Sequence, residues 1–553
     1  MLPELGVACI VGPRSRENKI RLQAGRQPPS IARSMPSASL KIIHNTYRDS
    51  VSLMQLSAKI AALAGVQQAS VVMATEGNLD LLREAGLLEG EVAASPSDLL
   101  VVLRAESEEA VRLALEETER ALAGVSDPAA RGRGPQETAP RSIQMGLAAQ
   151  PGANLALIST PGEYAAAEAL KALRLGLHVM LFSDNVALED EVLLKREAGR
   201  RGLLLMGPDC GTAIVGGVPL GFANAVRRGP IGVIGASGTG LQQVTSLIDQ
   251  AGLGVSHAFG TGGRDLKAEV GGATMLGALE ELAADEATRV IVLVSKPPAR
   301  AVADQVLARA RATGKPVIAC FLGADAARIG GEGVHAAATL EDAAAMALAA
   351  ARGMPTAGAE QRLPQYDAPR LAPGQRFVRG LYSGGTFCYE ATLLLAQVLE
   401  GVRSNTPVGG ATGLDDVWRS EGHTLVDLGD DEFTRGRPHP MIDHRLRNER
   451  MLREAADAGV AVILLDVVLG YGAHPDPAAE MLPAIRGARE AARRAGRELA
   501  FVGFVCGTER DPQGLARQVA ALREAGVILA ASNAQAARTA AAIARRHATA
   551  HQH

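Results

Sequence analysis

Ile231-Gly232-Val233-Ile234-Gly235-Ala236-Ser237-Gly238-Thr239-Gly240 returns in altered form as Val378-Arg379-Gly380-Leu381-Tyr382-Ser383-Gly384-Gly385-Thr386. Each copy reads as an apolar strand, a turn built on Ser-Gly-x or Ser-Gly-Gly, a Thr, and then a helical pattern. The first N–H groups of a helix have no intrahelical partner, and the positive end of the helix dipole lies beside them, so such a turn favours an anion. Glycine lets the backbone approach the anion, and Ser and Thr add hydroxyl donors. Two such turns in one chain suggest half-sites facing one phosphate or carboxylate. We therefore take Ser237, Gly238, Thr239, Ser383, Gly384, Gly385 and Thr386 as candidate phosphate-binding residues.

Strands alternating with helices around both turns predict an α/β protein of parallel sheets joined by right-handed crossovers. The length of 553 residues gives room for about three or four domains. Residues 1–38 lack periodicity and read as a disordered arm or a misassigned start. Residues 39–125 read as a small α/β module of ferredoxin-like size, and 126–152, with Asp-Pro and Arg-Gly-Arg-Gly-Pro, as a linker. A Rossmann-like unit is expected over 153–228 and a flavodoxin-like unit over 229–352. A second linker spans 353–375, and a third α/β unit spans 376–545.

The bulk composition narrows the function. Net charge is −3, aromatic residues are 3% of the chain and no long basic run is present, which argues against nucleic-acid binding. No apolar run approaches the roughly 20 residues of a membrane span, and the amino terminus lacks a basic region before its short apolar patch. The five cysteines are far apart, without zinc-ligand spacing, which fits reduced thiols in a cytoplasmic protein. No metal site and no prosthetic group are expected.

Ligands in open parallel sheets bind off the carboxyl ends of the strands, so the polar loops there supply further candidates. Gly207-Pro208-Asp209-Cys210-Gly211-Thr212 offers Asp209 to a ligand; Cys210 beside a carboxylate is a poor thiolate. Arg264, in Gly260 to Asp265, suits bidentate capture of a carboxylate or phosphate, or an internal pair with Asp265. Lys296 stands before two prolines that stiffen its loop. Asp427-Leu428-Gly429-Asp430-Asp431-Glu432 could serve a divalent metal or act as a general base. The following Arg435-Gly436-Arg437-Pro438-His439-Pro440 reads as a rigid, charged substrate loop or as part of an internal charge network. Glu509, in Cys506-Gly507-Thr508-Glu509-Arg510-Asp511-Pro512, is either ligand-facing or an ordinary acidic residue at a helix start. Asp209, Arg264, Lys296, Arg435 and Arg437 are thus candidate substrate contacts, and Glu509 and His439 candidate proton carriers.

Together these motifs resemble the succinyl-CoA synthetase superfamily. Residues 153–350 are similar to its α subunit, through the strand before Gly207-Pro208-Asp209-Cys210 (Gly-Pro-Asn-Cys in the relatives), Gly232 to Thr239 and Gly260 to Asp265. Residues 376–545 are similar to the carboxy-terminal domain of its β subunit. Residues 154–165, 181–190, Val270-Gly271-Gly272, 427–443 and 506–512 carry a closer likeness to the FdrA family of acyl-CoA-synthetase-like proteins. The ligases place a phosphohistidine between two helix starts, which gives the paired Ser-Gly turns a reason. In the ligases a Gly-His-Ala segment follows the strand at 317–321. Here the segment reads Leu322-Gly323-Ala324-Asp325. The glycine-rich CoA loop and the nucleotide-grasp domain are not recognisable either.

FdrA relatives have been linked to oxamate carbamoyltransfer in anaerobic allantoin breakdown. The resemblance therefore implies a carbamoyl- or acyltransferase subunit using carbamoyl phosphate with oxamate or oxalurate. The alternatives are a succinate–CoA ligase type of acyl-CoA synthetase and a non-catalytic regulator that binds CoA or a metabolite. Small phosphate or carboxylate substrates are expected, with CoA as a further candidate ligand. Additional subunits or a homo-oligomer are the expected partners.

Overall fold

The computed structural model describes residues 37–124 and 140–549, apart from 45, 47, 89, 91, 357, 360–362, 368 and 436. The proposed arm up to residue 36 and most of the first linker lie outside the described residues.

The amino-terminal module runs β1 (Ser37–Ile43), α1 (Ser50–Ala61), β2 (Val66–Met73), α2 (Glu76–Glu84), β3 (Leu99–Ala105) and α3 (Glu108–Gly124). Its antiparallel sheet has the order β1-β3-β2. Asp49 and Thr75 start α1 and α2 by accepting the Ser52 and Asn78 N–H groups, the standard role of these residues at an N-cap. The module has its own apolar interior on both faces of the sheet, with Ile60, Leu99 and Val101 on one and Leu82, Leu100 and Val102 on the other.

Part of the stretch read as a linker is helical: α4 (Ile143–Ala149), capped by Ser142, packs on the next unit. That unit contains β4 (Leu155–Ile158), α5 (Gly162–Arg174), β5 (His178–Leu181), α6 (Leu188–Arg200) and β6 (Leu205–Met206), with a parallel β4-β5-β6 sheet. The hairpin β7 (Thr212–Val215) and β8 (Val218–Gly221) falls within residues 153–228 but joins the following sheet, where β7 pairs antiparallel with β10.

The first flavodoxin-like unit comprises β9 (Arg228–Gly235), α7 (Gly238–Gln250), β10 (Val255–Gly260), α8 (Ala273–Ala284), β11 (Val290–Ser295), α9 (Arg300–Ala312), β12 (Val317–Phe321), α10 (Ala326–Ile329), β13 (Val334–Ala336) and α11 (Leu340–Ala351). Its sheet order, β13-β12-β11-β9-β10-β7-β8, puts the topological switch between β9 and β11.

The last unit comprises β14 (Phe377–Tyr382), α12 (Gly385–Ala396), β15 (Val402–Ser404), β16 (Thr412–Gly413), β17 (His423–Asp427), α13 (Asp431–Thr434), α14 (Arg445–Ala456), β18 (Val460–Val468), α15 (Pro477–Arg494), β19 (Ala500–Cys506), α16 (Leu515–Glu524), β20 (Val527–Ala530) and α17 (Asn533–Thr549). Its parallel sheet, β16-β15-β17-β14-β18-β19-β20, switches at β14. All nine residues of β18 are buried, as expected for a central strand covered on both faces.

One apolar core runs through both large units, from Leu241 and Val244 of α7 to Phe387 and Leu395 of α12 and Ala540 of α17. Helices α7 and α11 of the first unit pack on α12 and α17 of the second. Helices α7 and α12 follow β9 and β14, the strands on which the two sheets switch direction. Their packing therefore sets the two helix starts together. Among the described residues, no helix is long and apolar enough to cross a membrane.

Candidate active site

The two Ser-Gly turns meet. Ser237 Oγ and Thr386 Oγ1 form a 2.5 Å hydrogen bond across the unit boundary. A side chain on Gly384 would begin 2.9 Å from Thr239 Cγ2, so the close approach requires glycine there. Ser237 caps α7 by accepting the Gly240 N–H at 2.9 Å. Gly384, the N-cap of α12, has no side chain with which to do the same. Gly238 is exposed and Gly385 partly so, while Thr239, Gly384 and Thr386 beside them are buried.

Ser383 departs from its expected role. Its hydroxyl and the N–H groups of Ser383 and Gly384 all donate to the Asp466 carboxylate at 2.8 Å. Asp466 and Arg447, both fully buried, form a 2.8 Å ion pair. The protein thus supplies its own anion to this part of the turn, and Ser383 and the Gly384 N–H are not free for a phosphate. Of the other candidates at the turns, Gly238 is exposed and Gly385 half-buried, whereas Thr239 and Thr386 are buried.

A second carboxylate lies beside them. Asp427, at the end of β17, accepts the Gly429 N–H at 2.9 Å. Its Oδ2 is 2.5 Å from the point where a side chain on Gly385 would begin. Burial pushes the Asp427 carboxyl up to about 7; Lys296 opposes that shift, while Asp430 and Asp466 reinforce it. Lys296, exposed at the end of β11, lies over the Tyr389 ring of α12, 5.1 Å from its centroid. Lys296 follows the last residue of β11, and its charge is shared between an aromatic face and Asp427.

His439 reaches the same place from the 428–444 loop. A side chain on Gly429 would begin 2.8 Å from His439 Nε2, 3.0 Å from Ser383 O and 3.2 Å from Asp427 Oδ1. Three polar atoms therefore pack so closely on residue 429 that the approach requires glycine. The Met441 N–H donates to His439 Nδ1 at 3.2 Å, which assigns the ring proton to Nε2. Burial pushes the imidazole down to about 4, so it is neutral near pH 7.

The other sequence-derived candidates are placed elsewhere. The Glu509 carboxylate accepts the Ala516 N–H at the start of α16 and serves that helix, not the paired turns. Arg264 is held by buried Glu191 at 2.8 Å and by Val186 O; Asp265, its expected partner, instead pairs with Lys195 at 2.7 Å. Arg435 pairs with Glu84 of the amino-terminal module at 3.2 Å, and Arg437 lies over the Trp418 ring. Asp209 lies near the carboxylates of Asp184 and Asp431. Enclosure by the protein, and then these neighbours, raise its carboxyl to about 6. Such a carboxylate suits an N–H donor better than an anionic substrate. Asp466 and Arg447 were not among the candidates. A single Asp inside an apolar strand, and an Arg on the buried side of α14, were the signals for them. Cys210 is buried, and its thiol is pushed up to about 12 by burial, which makes it unreactive. Among the described residues, no three His, Cys, Asp or Glu side chains are grouped as a metal site.

Family models match three parts of the chain. A CoA-ligase family model matches residues 381–543, and a CoA binding domain model matches 226–323. A model described as AllF, heavy metal-associated domain, matches 35–140. The chain is 43% identical to YahF of Escherichia coli (strain K12) over 502 residues, covering 90% of this chain and 96% of that protein. It is 28% identical to subunit alpha 1 of the ADP-forming succinate–CoA ligase of Archaeoglobus fulgidus over 218 residues, 38% of this chain and 72% of that one. Among solved structures, the dinucleotide-forming acetyl-coenzyme A synthetase 1 of Ca. Korarchaeum cryptofilum, in complex with phosphate and ADP, aligns at 15% identity and a TM-score of 0.30, over 72% of this chain and 83% of that one.

Proposed function

The chain belongs to the FdrA family of succinyl-CoA-synthetase-like proteins, and on that premise we propose that it is a carbamoyl- or acyltransferase subunit whose leaving phosphate is held at the paired helix starts. The observation that carries this reading is the contact between Ser237 and Thr386, with Lys296 beside it. In the proposed reaction the oxamate nitrogen forms a C–N bond to the carbamoyl carbon of carbamoyl phosphate. The C–O bond to phosphate breaks, and phosphate leaves with the electron pair. The Gly238, Thr239, Gly385 and Thr386 N–H groups and Lys296 stabilise the negative charge that gathers on it. His439, neutral with its proton on Nε2, donates to the carbonyl oxygen. Asp427, titrating near neutrality, takes the proton released by the attacking nitrogen. Alignment of the two substrates supplies much of the rate.

A carbamoyl phosphate donor is already activated, so no phosphorylated side chain is needed. That fits the segment after β12, where Leu322-Gly323-Ala324-Asp325 offers no histidine and Gly323 packs on Leu393 of α12. The second reading, an acyl-CoA ligase, is favoured by the match to the CoA binding domain model. An assay of carbamoyl phosphate formation from oxalurate and phosphate tests the first reading. Absence of product, with acid-labile phosphorylation from ATP and thioester formation in its place, would select the second.

A further inference from the structure

The amino-terminal module matches a heavy metal-associated domain model, yet its residues do not fit a soft metal ion. Residues 35–140 contain no cysteine, one histidine, His44, which pairs with Asp98 at 3.2 Å, and three methionines, of which Met73 is packed in the apolar core and Met54 stands alone on α1. Ions of this class are selected by thiolate and thioether ligands. The module does make specific contacts with the loop that carries His439. Arg445 Nη1 donates to Ala61 O, the last carbonyl of α1, at 2.7 Å. Terminal carbonyls of a helix lack intrahelical partners and lie at the negative end of its dipole, so a guanidinium is favoured there. Arg445 also grips Asp443 through Nε, at 3.0 and 2.9 Å. The Ile442 and Asp443 N–H groups donate to His439 O at 2.8 and 3.1 Å. A continuous chain of bonds therefore joins the end of α1 to the turn that presents His439. The Arg435–Glu84 pair ties the same loop to α2.

We propose that the amino-terminal module is a metal-independent clamp that fixes the His439 loop over the paired turns, with Arg445 as the positioning residue. The inference rests on the reading of His439 as part of the site, but its test does not require turnover. Hydrogen exchange and the His439 titration, followed by NMR with labelled histidine, are compared in the full chain and in Arg445→Gln, Arg445→Lys and Glu84→Arg. Arg445→Gln is expected to speed exchange of the 441–443 amides at least tenfold and to move the His439 titration up toward the ordinary histidine range. Arg445→Lys restores part of both, because it keeps the charge without the fork. Glu84→Arg, an exposed change that leaves the module's core untouched, gives a smaller shift in the same direction. Unchanged exchange and titration in both Arg445→Gln and Glu84→Arg would overturn the clamp. Stoichiometric capture of Cu(I) or Zn(II) by the full chain, lost in His44→Ala, would overturn its metal independence. If the wild type catalyses no carbamoyl transfer, the proposed reaction fails while these readouts still decide the clamp.

Discussion

Asp427 Oδ2 lies 2.5 Å from the position at which a side chain on Gly385 would begin, so a protein carboxylate is packed against the first residue of α12. Any side chain at 385 must displace that carboxylate or push the helix start back. Gly385→Ala is expected to cost about 1–3 kcal/mol through overpacking and to weaken phosphate binding by about tenfold, equivalent to about 1.4 kcal/mol. Chemical denaturation and phosphate titration measure the two effects separately.

The titration of Asp427 has a definite sign. Burial raises its folded-state value to about 7, above the ordinary aspartate value of about 3.9 in an unfolded chain. The folded protein therefore binds this proton more tightly, and the contribution of Asp427 to stability falls as pH rises from about 4 to about 7, then levels off. Asp427→Asn should be more stable than the wild type at pH 8, by on the order of 2–4 kcal/mol. The advantage should vanish below pH 4. Urea unfolding at pH 3.5 and pH 8 checks it, and the variant should also lose most of its turnover.

Lys296 favours the charged form of Asp427 and faces the same helix start. Lys296→Met should therefore move the midpoint of the pH–rate profile upward from about 7 and weaken phosphate binding roughly tenfold, about 1.4 kcal/mol. A variant that loses phosphate affinity without moving the profile would show that Lys296 acts on the ligand alone.

Arg447 and Asp466 are both fully buried, and Asp466 also holds the Ser383-Gly384 turn. Arg447→Met leaves that carboxylate without its cation, a change that typically costs about 3–5 kcal/mol. Denaturant unfolding should show a lowered midpoint. The loosened turn should also weaken phosphate binding.

Much of the architecture was legible because it depends on periodicity. The strand Val317–Phe321 occurs where the sequence indicated, and the Ser-Gly turns do start α7 and α12. The short β7–β8 hairpin escaped because its pairing with β10 is a long-range choice that local pattern does not encode. At the site, sequence identified which turns could attract an anion but not who already occupies them. Asp466 is one carboxylate in an apolar strand, and Arg447 one cation on α14; only the fold brings them to Ser383. Glu509 and Asp427 both followed strands as acidic residues. Which of them caps a helix and which faces the paired turns depends on strand order and helix packing, which motif spacing leaves open.

The most direct test is calorimetric titration of inorganic phosphate into the wild type, Ser383→Ala and the double variant Ser237→Ala/Thr386→Val. One phosphate per chain is predicted for the wild type, with affinity reduced at least tenfold in the double variant and changed much less in Ser383→Ala, whose hydroxyl is bound to Asp466. Equal phosphate affinity in the wild type and the double variant, or the largest loss in Ser383→Ala, would contradict the assignment of the leaving phosphate to the junction of α7 and α12.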